Sequence, residues 1–264
     1  MRRRRNLLDT ARERWRPPLL TGTGTRVEEA LAALRRFFDL QGGSIWRDLR
    51  GELPSLQGRL LDVGCGAQPY RKLVPAAVDY VGIDIMDSET RFGYTQKDTI
   101  YYSGPLWPLP GETADCVLCT ETLEHVLEPK AFLSEAFRCL KPGGSLLATV
   151  PFAARWHFIP YDYWRYTPSS LKHLLSEAGF ADIVVYGRGN ALTVACYKVM
   201  ALILAAARPV SSRFFVKAVS LTAAFLCLPL LVALAVVANL SLRCDSGEDC
   251  LGYTVKARRP ATPA

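Results

Sequence analysis

The chain lacks the marks of several protein classes. Arg2, Arg3, Arg4 and Arg5 open it, but "NLLDTARERWRPP" follows where a secretory leader would carry its apolar centre. The chain's main part is therefore expected to stay in the cytoplasm. There is no internal repeat and no low-complexity block. Cys116 and Cys119 make a CxxC, but it lies in a strand-like run with no second pair to complete a zinc site, so no metal is expected. The 8 cysteines are scattered, several inside apolar runs. That suits reduced, buried thiols better than a disulfide framework. Histidine is scarce: His125, His157 and His173 are the whole supply.

What is present is enough for a large core. Half of the 264 residues are hydrophobic and 22% are charged, which argues against wholesale disorder. The net charge is +7, with much of the excess at Arg2–Arg5 and at Lys256, Arg258 and Arg259. Such charge can favour nucleic acid, anionic lipid or acidic ligands, or can be a solvated tail.

Residues 1–50 read as a basic helical segment. Its clearest helix is "VEEALAALRRFFDL", Val27 to Leu40, with Gly42-Gly43 expected to stop it. From Gly58 strands alternate with helices: "RLLDVG", "YVGIDI", "DCVLCT", then the helix "KAFLSEAFRCL", a "KPGG" turn and the strand "GSLLATVPF". The helix "SSLKHLLSEAGF" leads into "ADIVVYG". This order implies an α/β fold with a largely parallel sheet and helices on both faces.

The first strand ends in Asp62-Val63-Gly64-Cys65-Gly66. Ligands of open parallel sheets bind beyond the carboxyl ends of the strands. Gly64 and Gly66 allow a left-handed turn and a ligand lying against the main chain. A dinucleotide loop would carry a third glycine where Pro69 stands, so phosphate cradling is not indicated. About twenty residues on, "YVGIDI" ends in Asp84, placed to accept hydrogen bonds from two ribose hydroxyls, with Ile85 positioned to pack on adenine.

Together "LLDVGCG", "YVGID", "ADCVLCTETLEHV" and "LKPGG" resemble the class I S-adenosylmethionine-dependent methyltransferases, in particular the type 11 methyltransferase domain, over residues 58 to about 190. The resemblance implies a Rossmann-like, doubly wound seven-stranded sheet with its last strand antiparallel. It implies S-adenosyl-L-methionine as cofactor, with Asp62, Gly64, Cys65 and Gly66 along its methionine part and Asp84 on its ribose. Thr120 and Glu121 end the fourth strand beside it, and Leu123, Glu124 and His125 open the next helix. The acid that many members direct at the adenine amino group is absent. Ser103 or Pro105 occupies that place, with Asp98 a distant candidate.

"PFAARWHFIPYDYWRYTP", Pro151 to Pro168, resembles a bacterial subgroup of the family. Tyr161, Asp162, Trp164, Arg165 and Tyr166 are the expected acceptor-binding residues. Aromatic faces suit sugar rings or planar acceptors, and Arg165 could pair a phosphate or carboxylate. Packing of Tyr163, Trp164 and Tyr166 onto the sheet is the alternative. Methyl transfer needs in-line positioning and, for a hydroxyl acceptor, a base. His157 is the first candidate and His125 the second; His173 reads as an ordinary helix residue.

Residues 191–245 form a hydrophobic insert. "ALTVACYKVMALILAAA" is apolar apart from Lys198, and "VSLTAAFLCLPLLVALAVVANLSL" carries no charge. Residues 246–264 hold "LGYTVKARRP", the expected final strand, and a tail. Both ends of the insert must return to one sheet, which excludes a single pass. Two passes would place Arg208, Arg213 and Lys217 outside, against the positive-inside tendency. A re-entrant or interfacial helical hairpin is the expected form, with a buried helix or an oligomer interface as the alternative.

The expected activity is methylation of a hydroxyl or amine on a saccharide, lipid-linked or other amphiphilic acceptor at the cytoplasmic face of a membrane. A quinone or other small-molecule methyltransferase is the alternative, and a noncatalytic scaffold the third reading. No RNA-binding module is recognisable, so nucleic acid is not an expected partner. The oligomeric state stays open.

Overall fold

The structure is a computed structural model that describes residues 7, 25–206, 214–244 and 247–261; in the last helix, side chains are described for Thr222 and from Phe225 onward. The N-terminal arginines, Arg208 and Arg213 lie outside the described residues. The chain divides into two compact units. Among the described residues the first holds residues 7, 48–185 and 253–261. The second holds residues 25–47 and 186–252.

The first unit is built on a sheet of β1 (Arg59–Val63), β2 (Asp79–Ile85), β3 (Thr99–Tyr102), β4 (Ala114–Thr120), β5 (Leu140–Pro151), β6 (Ala181–Gly187) and β7 (Gly252–Arg258). Their order is β3-β2-β1-β4-β5-β7-β6. β1 pairs in parallel with β2 and β4, β2 with β3, and β4 with β5. Arg259, just past β7, exchanges backbone bonds of 2.9 and 3.0 Å with Gly144 and Gly143, an antiparallel pairing. The seven-stranded sheet with its reversed last strand is as expected. Leu60, Leu61 and Val63 of β1 and Val117 and Leu118 of β4 are buried, because central parallel strands are covered on both faces. The order reverses between β1 and β4, which sets the ligand crevice above their carboxyl ends.

Helices α3 (Ser88–Phe92), α4 (Pro129–Cys139) and α5 (Pro168–Glu177) belong to this unit. Two local expectations are corrected. "KPGG" is not a separate turn, since β5 runs through it from Leu140, with Gly143 at φ 81°. "LEHV" does not open α4. Leu123–His125 form one 3-10 turn, and α4 begins at Pro129, whose ring suits a first helical position.

The second unit holds α1 (Arg26–Phe38), α6 (Ala191–Ala206) and α7 (Phe214–Ser241), and the start of α2 (Leu40–Glu52). Thr25 and Glu28 close α1 with a capping box. Gly42-Gly43 does not end α1. The break comes at Asp39, whose carboxylate accepts from the Gly42 N–H at 3.1 Å and so starts α2. Gly43 serves close approach instead: a Cβ there would lie 2.4 Å from the Arg36 carbonyl. Leu40, Cys196, Met200, Leu231, Ala235 and Ala238 make the unit's core. The Asn239 amide donates to Phe37 O at 2.9 Å, tying α7 to α1. Pro229 lies inside α7 without ending it. Among the described residues no helix is long and apolar enough to cross a membrane. The two-pass reading of the insert therefore finds no support.

Candidate active site

β1 delivers the chain to the crevice, and Gly64 and Gly66 turn it there with φ of 68° and 52°. The space they leave is used. A Cβ on Gly64 would lie 2.3 Å from the Thr122 methyl, and one on Gly66 would lie 3.1 Å from the Tyr94 ring. Thr122 Oγ1 donates to Thr120 O at 3.0 Å, which fixes this side chain over the turn.

Asp62 and Asp84 flank the turn from adjacent strands. Asp84 Oδ2 accepts from Gly66 N at 2.9 Å and Oδ1 from Ile85 N at 2.7 Å. Burial raises its pKa, and the two backbone bonds oppose the rise. Asp62 Oδ2 accepts from Tyr80 OH at 2.6 Å, while Oδ1 is buried without a hydrogen-bond partner. Burial pushes Asp62 up to about 7, opposed by the Tyr80 bond and reinforced by Asp84. A buried carboxylate oxygen lacking a donor is costly unless a ligand supplies one.

These features fit S-adenosylmethionine. The unsatisfied Asp62 Oδ1 suits its ammonium group, the two glycines leave room against the main chain, and Asp84 retains lone pairs for ribose hydroxyls. Ile85 is half-buried beside Asp84. Cys65 turns inward instead: it is buried, its Sγ lies 3.5 Å from Thr99 Oγ1, and burial pushes its thiol up to about 12. It therefore contributes backbone rather than sulfur. Cys116 and Cys119 are buried and free, and positions three apart on a strand point to opposite faces.

Glu121 follows β4 at φ 47°, an uncommon conformation for this residue type, and its N–H donates to Thr149 O at 2.9 Å. Ser103 and Pro105 are exposed, and Asp98 pairs with Arg71 at 3.4 Å.

The loop from Pro151 to Pro168 returns onto the 3-10 turn. Tyr163 N and Trp164 N donate to Glu124 O, Trp164 Nε1 to Val126 O at 2.9 Å, and Tyr166 OH to Leu123 O at 3.1 Å. Trp164 and Tyr166 thus hold the loop to the 3-10 turn. Arg165 is turned inward as well. Its guanidinium meets Asp162 at 2.6 and 2.7 Å and donates to Arg155 O and Trp164 O. Tyr161 offers a ring face, but Arg91 lies over it at 4.8 Å.

Both candidate histidines converge beside these residues, with ring centroids 5.0 Å apart. His157 Nδ1 lies 2.8 Å from Asp162 Oδ2 and 3.1 Å from Arg155 O. His125 Nδ1 lies 2.7 Å from Tyr161 O. Each Nδ1 faces only acceptors, so each carries a proton there. Burial lowers the His125 pKa to about 4, against the pull of the Tyr161 carbonyl. Burial alone would raise Asp162, but bonds from Arg165 and His157 hold it well below the usual carboxylate range. Phe92 and Phe158 wall the pair, each 5.3 Å from His125. Phe92 stacks on Tyr94, so the glycine turn and the histidines share one continuous wall. His173 is exposed on α5, 3.4 Å from Glu177.

Sequence reasoning missed Tyr80, Thr122, Phe92 and the buried Glu124 side chain. Tyr80 heads "YVGIDI" and Thr122 and Glu124 lie in "ADCVLCTETLEHV", stretches already singled out, whereas Phe92 lies in none.

Comparisons with known proteins agree with this geometry. Residues 25–185 match the family described as "Methyltransferase domain". A ubiquinone biosynthesis O-methyltransferase from Cereibacter sphaeroides is 30% identical over 165 residues, covering 52% of this chain and 66% of that protein. A probable S-adenosylmethionine-dependent methyltransferase from Mycolicibacterium smegmatis is 28% identical over 131 residues, covering 46% of this chain and 51% of that protein. The chain thus spans less than two thirds of the length of these curated relatives. Among solved structures, an S-adenosylmethionine-dependent methyltransferase from Thermotoga maritima, described as a possible histamine N-methyltransferase, shares the fold. Its TM-score is 0.50 at 14% identity, covering 88% of this chain and 97% of that one. The fold, the glycine turn between two buried acids and the matched span agree: the chain belongs to the methyltransferase-domain family of class I, S-adenosylmethionine-dependent enzymes.

Proposed function

We propose that this chain methylates the hydroxyl oxygen of a planar, ring-bearing acceptor of the phenol or quinone class. The observation that carries this reading is the His157–Asp162 contact at 2.8 Å, which holds the imidazole by Nδ1 beside the Phe158 ring, 5.3 Å away between centroids. An amine acceptor carries its own lone pair, whereas a hydroxyl gains from a base aligned by a carboxylate. The rings of Phe92, Phe158 and Tyr161 offer faces for a flat acceptor. The relatives named ubiquinone biosynthesis O-methyltransferases support the same class. The saccharide acceptor gains no such support: Trp164 and Tyr166, two of the aromatics expected to offer it a face, are bonded to Val126 O and Leu123 O, and Arg165, expected to pair a phosphate or carboxylate, is committed to Asp162.

Bound S-adenosylmethionine supplies an activated methyl group. Asp62 would hold its ammonium, Asp84 its ribose, and Gly64 and Gly66 the clearance for both. His157 would draw the acceptor proton, with Asp162 keeping the ring in its tautomer.

A second element of the reading concerns α6 and α7. Phe225, Leu226, Leu228, Leu230 and Leu240 of α7 are exposed, as are Leu192, Val199 and Leu202 of α6. So many exposed apolar side chains on two helices suit a lipid surface, where an amphiphilic acceptor would reside.

The test is transfer of radiolabelled methyl from S-adenosylmethionine to a panel of catechols with and without an isoprenoid tail, alongside amines and sugars. Labelled aryl methyl ethers are the expected product. Labelled amines or sugars instead would overturn the acceptor class.

A further inference from the structure

We propose that Tyr94 presents its ring to the charged sulfur of S-adenosylmethionine and so lets the protein tell this methyl donor from its demethylated product. The role rests on the methyl-transfer reading. Tyr94 lies in the connection between β2 and β3, and its ring is set against the glycine turn. A Cβ on Gly66 would meet Tyr94 Cε2 at 3.1 Å and Cζ at 3.4 Å.

The connection is built to hold the ring there. Gly93 ends α3 in the left-handed region at φ 85°, its N–H donating to the carbonyls of Ser88 and Glu89 at 3.1 and 2.9 Å. Ser88, itself buried, donates through Oγ to Tyr94 O at 3.3 Å. Two residues further on, Gln96 N donates to Tyr101 OH at 2.7 Å. Phe92 stacks beside the Tyr94 ring, with centroids 6.1 Å apart and planes 14° from parallel.

The chemistry of the ligand decides what the ring meets. In S-adenosylmethionine the sulfur joins the ribose to the methionine chain. Asp84, fitted to the ribose, accepts from Gly66 N at 2.9 Å. Asp62, fitted to the ammonium, lies before the turn on β1. A molecule held at both ends must carry its sulfur across residues 64–66, beside Tyr94. The third substituent on that sulfur is the methyl group, which must point at the acceptor. The acceptor wall begins at Phe92, next to Tyr94, and continues to His125, 5.3 Å from Phe92.

An aromatic face attracts a cation within about 6 Å of its centroid, more strongly where water is displaced. The donor's sulfur is a positively charged sulfonium, and the product's is a neutral thioether. Tyr94 therefore adds affinity for the donor that the product does not share. By contrast, the groups fitted to Asp62 and Asp84, an ammonium and two hydroxyls, are common to both ligands. Tyr94 thereby favours exchange of the spent cofactor for a fresh one.

The test titrates S-adenosylmethionine and S-adenosylhomocysteine separately into the full chain by calorimetry. Wild type is compared with Tyr94→Leu, with Tyr94→Phe and with protein carrying pentafluorophenylalanine at position 94. Tyr94→Leu keeps an apolar side chain on Gly66. It is expected to bind the donor about fivefold or more weakly, with product affinity changing less than about twofold. Tyr94→Phe keeps the ring and should keep the wild-type ratio of the two affinities. Pentafluorophenylalanine keeps the shape of phenylalanine but reverses the charge distribution of the ring, so the donor preference should be lost. It covers the case in which Tyr94→Leu does not fold. A ratio that stays at the wild-type value in the leucine and fluorinated proteins overturns the proposal, because lost packing weakens both ligands alike, and leaves the methyl-transfer reading standing. Tighter binding of both ligands by Tyr94→Leu also overturns it, since the ring would then obstruct the crevice. Failure of the wild type to bind either ligand removes the methyl-transfer reading, and the role of Tyr94 with it.

Discussion

The Asp162 carboxylate meets His157 Nδ1 at 2.8 Å and is gripped from its other side by the Arg165 guanidinium at 2.6 and 2.7 Å. One acid therefore orients the imidazole and anchors the loop that carries it. Asp162→Asn replaces an acceptor by an amide that can present a donor to Nδ1 and reverse the tautomer. Turnover is expected to fall about 10²-fold or more, while S-adenosylmethionine affinity changes less than about twofold. The half-buried Arg165 loses its partner, so stability should drop by about 1–3 kcal/mol. Steady-state methyl transfer and thermal unfolding check the two effects separately. Unchanged turnover would remove His157 from the reaction.

The glycine turn makes a steric prediction. Gly64→Ala adds a Cβ 2.3 Å from the Thr122 methyl at a position with φ 68°. The left-handed conformation alone costs about 1–2 kcal/mol for a side chain. Loss of S-adenosylmethionine binding by tenfold or more is expected in calorimetry. Adding Thr122→Ala removes the clashing methyl and hydroxyl and should restore part of that loss, though not the backbone strain.

How far the sequence revealed this site depends on which force fixes each residue. The cofactor crevice was legible because backbone needs dictate local residue type: Gly64 and Gly66 at positive φ, and Asp84 at a strand end. The acceptor loop was only half legible. Tyr166 and Trp164 read equally well as binding faces or as packing, and their bonds to the carbonyls of Leu123 and Val126 depend on contacts 38 to 43 residues apart. Arg165 looked free although Asp162 stands only three residues before it, because outside a helix that spacing does not by itself bring the two side chains together. Glu124 looked like a helix opener, and only the folded chain shows its carboxylate buried against two imidazoles. The end of α1 was misread because Gly42-Gly43 carries a strong local stop signal, while the Arg36 carbonyl that needs Gly43 is brought there by folding.

The exposed apolar side chains of α7 predict lipid binding. Phe225 is 75% and Leu226 72% exposed, so replacing both by Glu should change thermal stability little. Each buries apolar area worth about 1.5–3 kcal/mol on entering an apolar phase. Co-sedimentation with vesicles containing anionic lipid is expected to fall at least tenfold in the double variant. Equal sedimentation of both proteins would assign these side chains to another partner.

Asp62 predicts a proton released on cofactor binding. Its ordinary carboxyl value is 3.8, and burial raises it to about 7 in the folded protein. A raised acid stabilises the fold fully below pH 4, and that contribution is lost as pH climbs through about 7. The ligand-free protein should therefore melt at lower temperature at pH 8 than at pH 6, as far as this group decides. Cofactor binding has the opposite slope. An ammonium beside Oδ1 favours the ionised acid, so affinity should rise from pH 6 to pH 8 and binding should release a fraction of a proton near pH 7. Calorimetry in two buffers of different ionisation enthalpy reads that fraction directly. Tyr80→Phe removes the bond that lowers the Asp62 value. In that variant the release should move to higher pH. Affinity that ignores pH between 6 and 8, in wild type and variant alike, would place the ammonium away from Asp62.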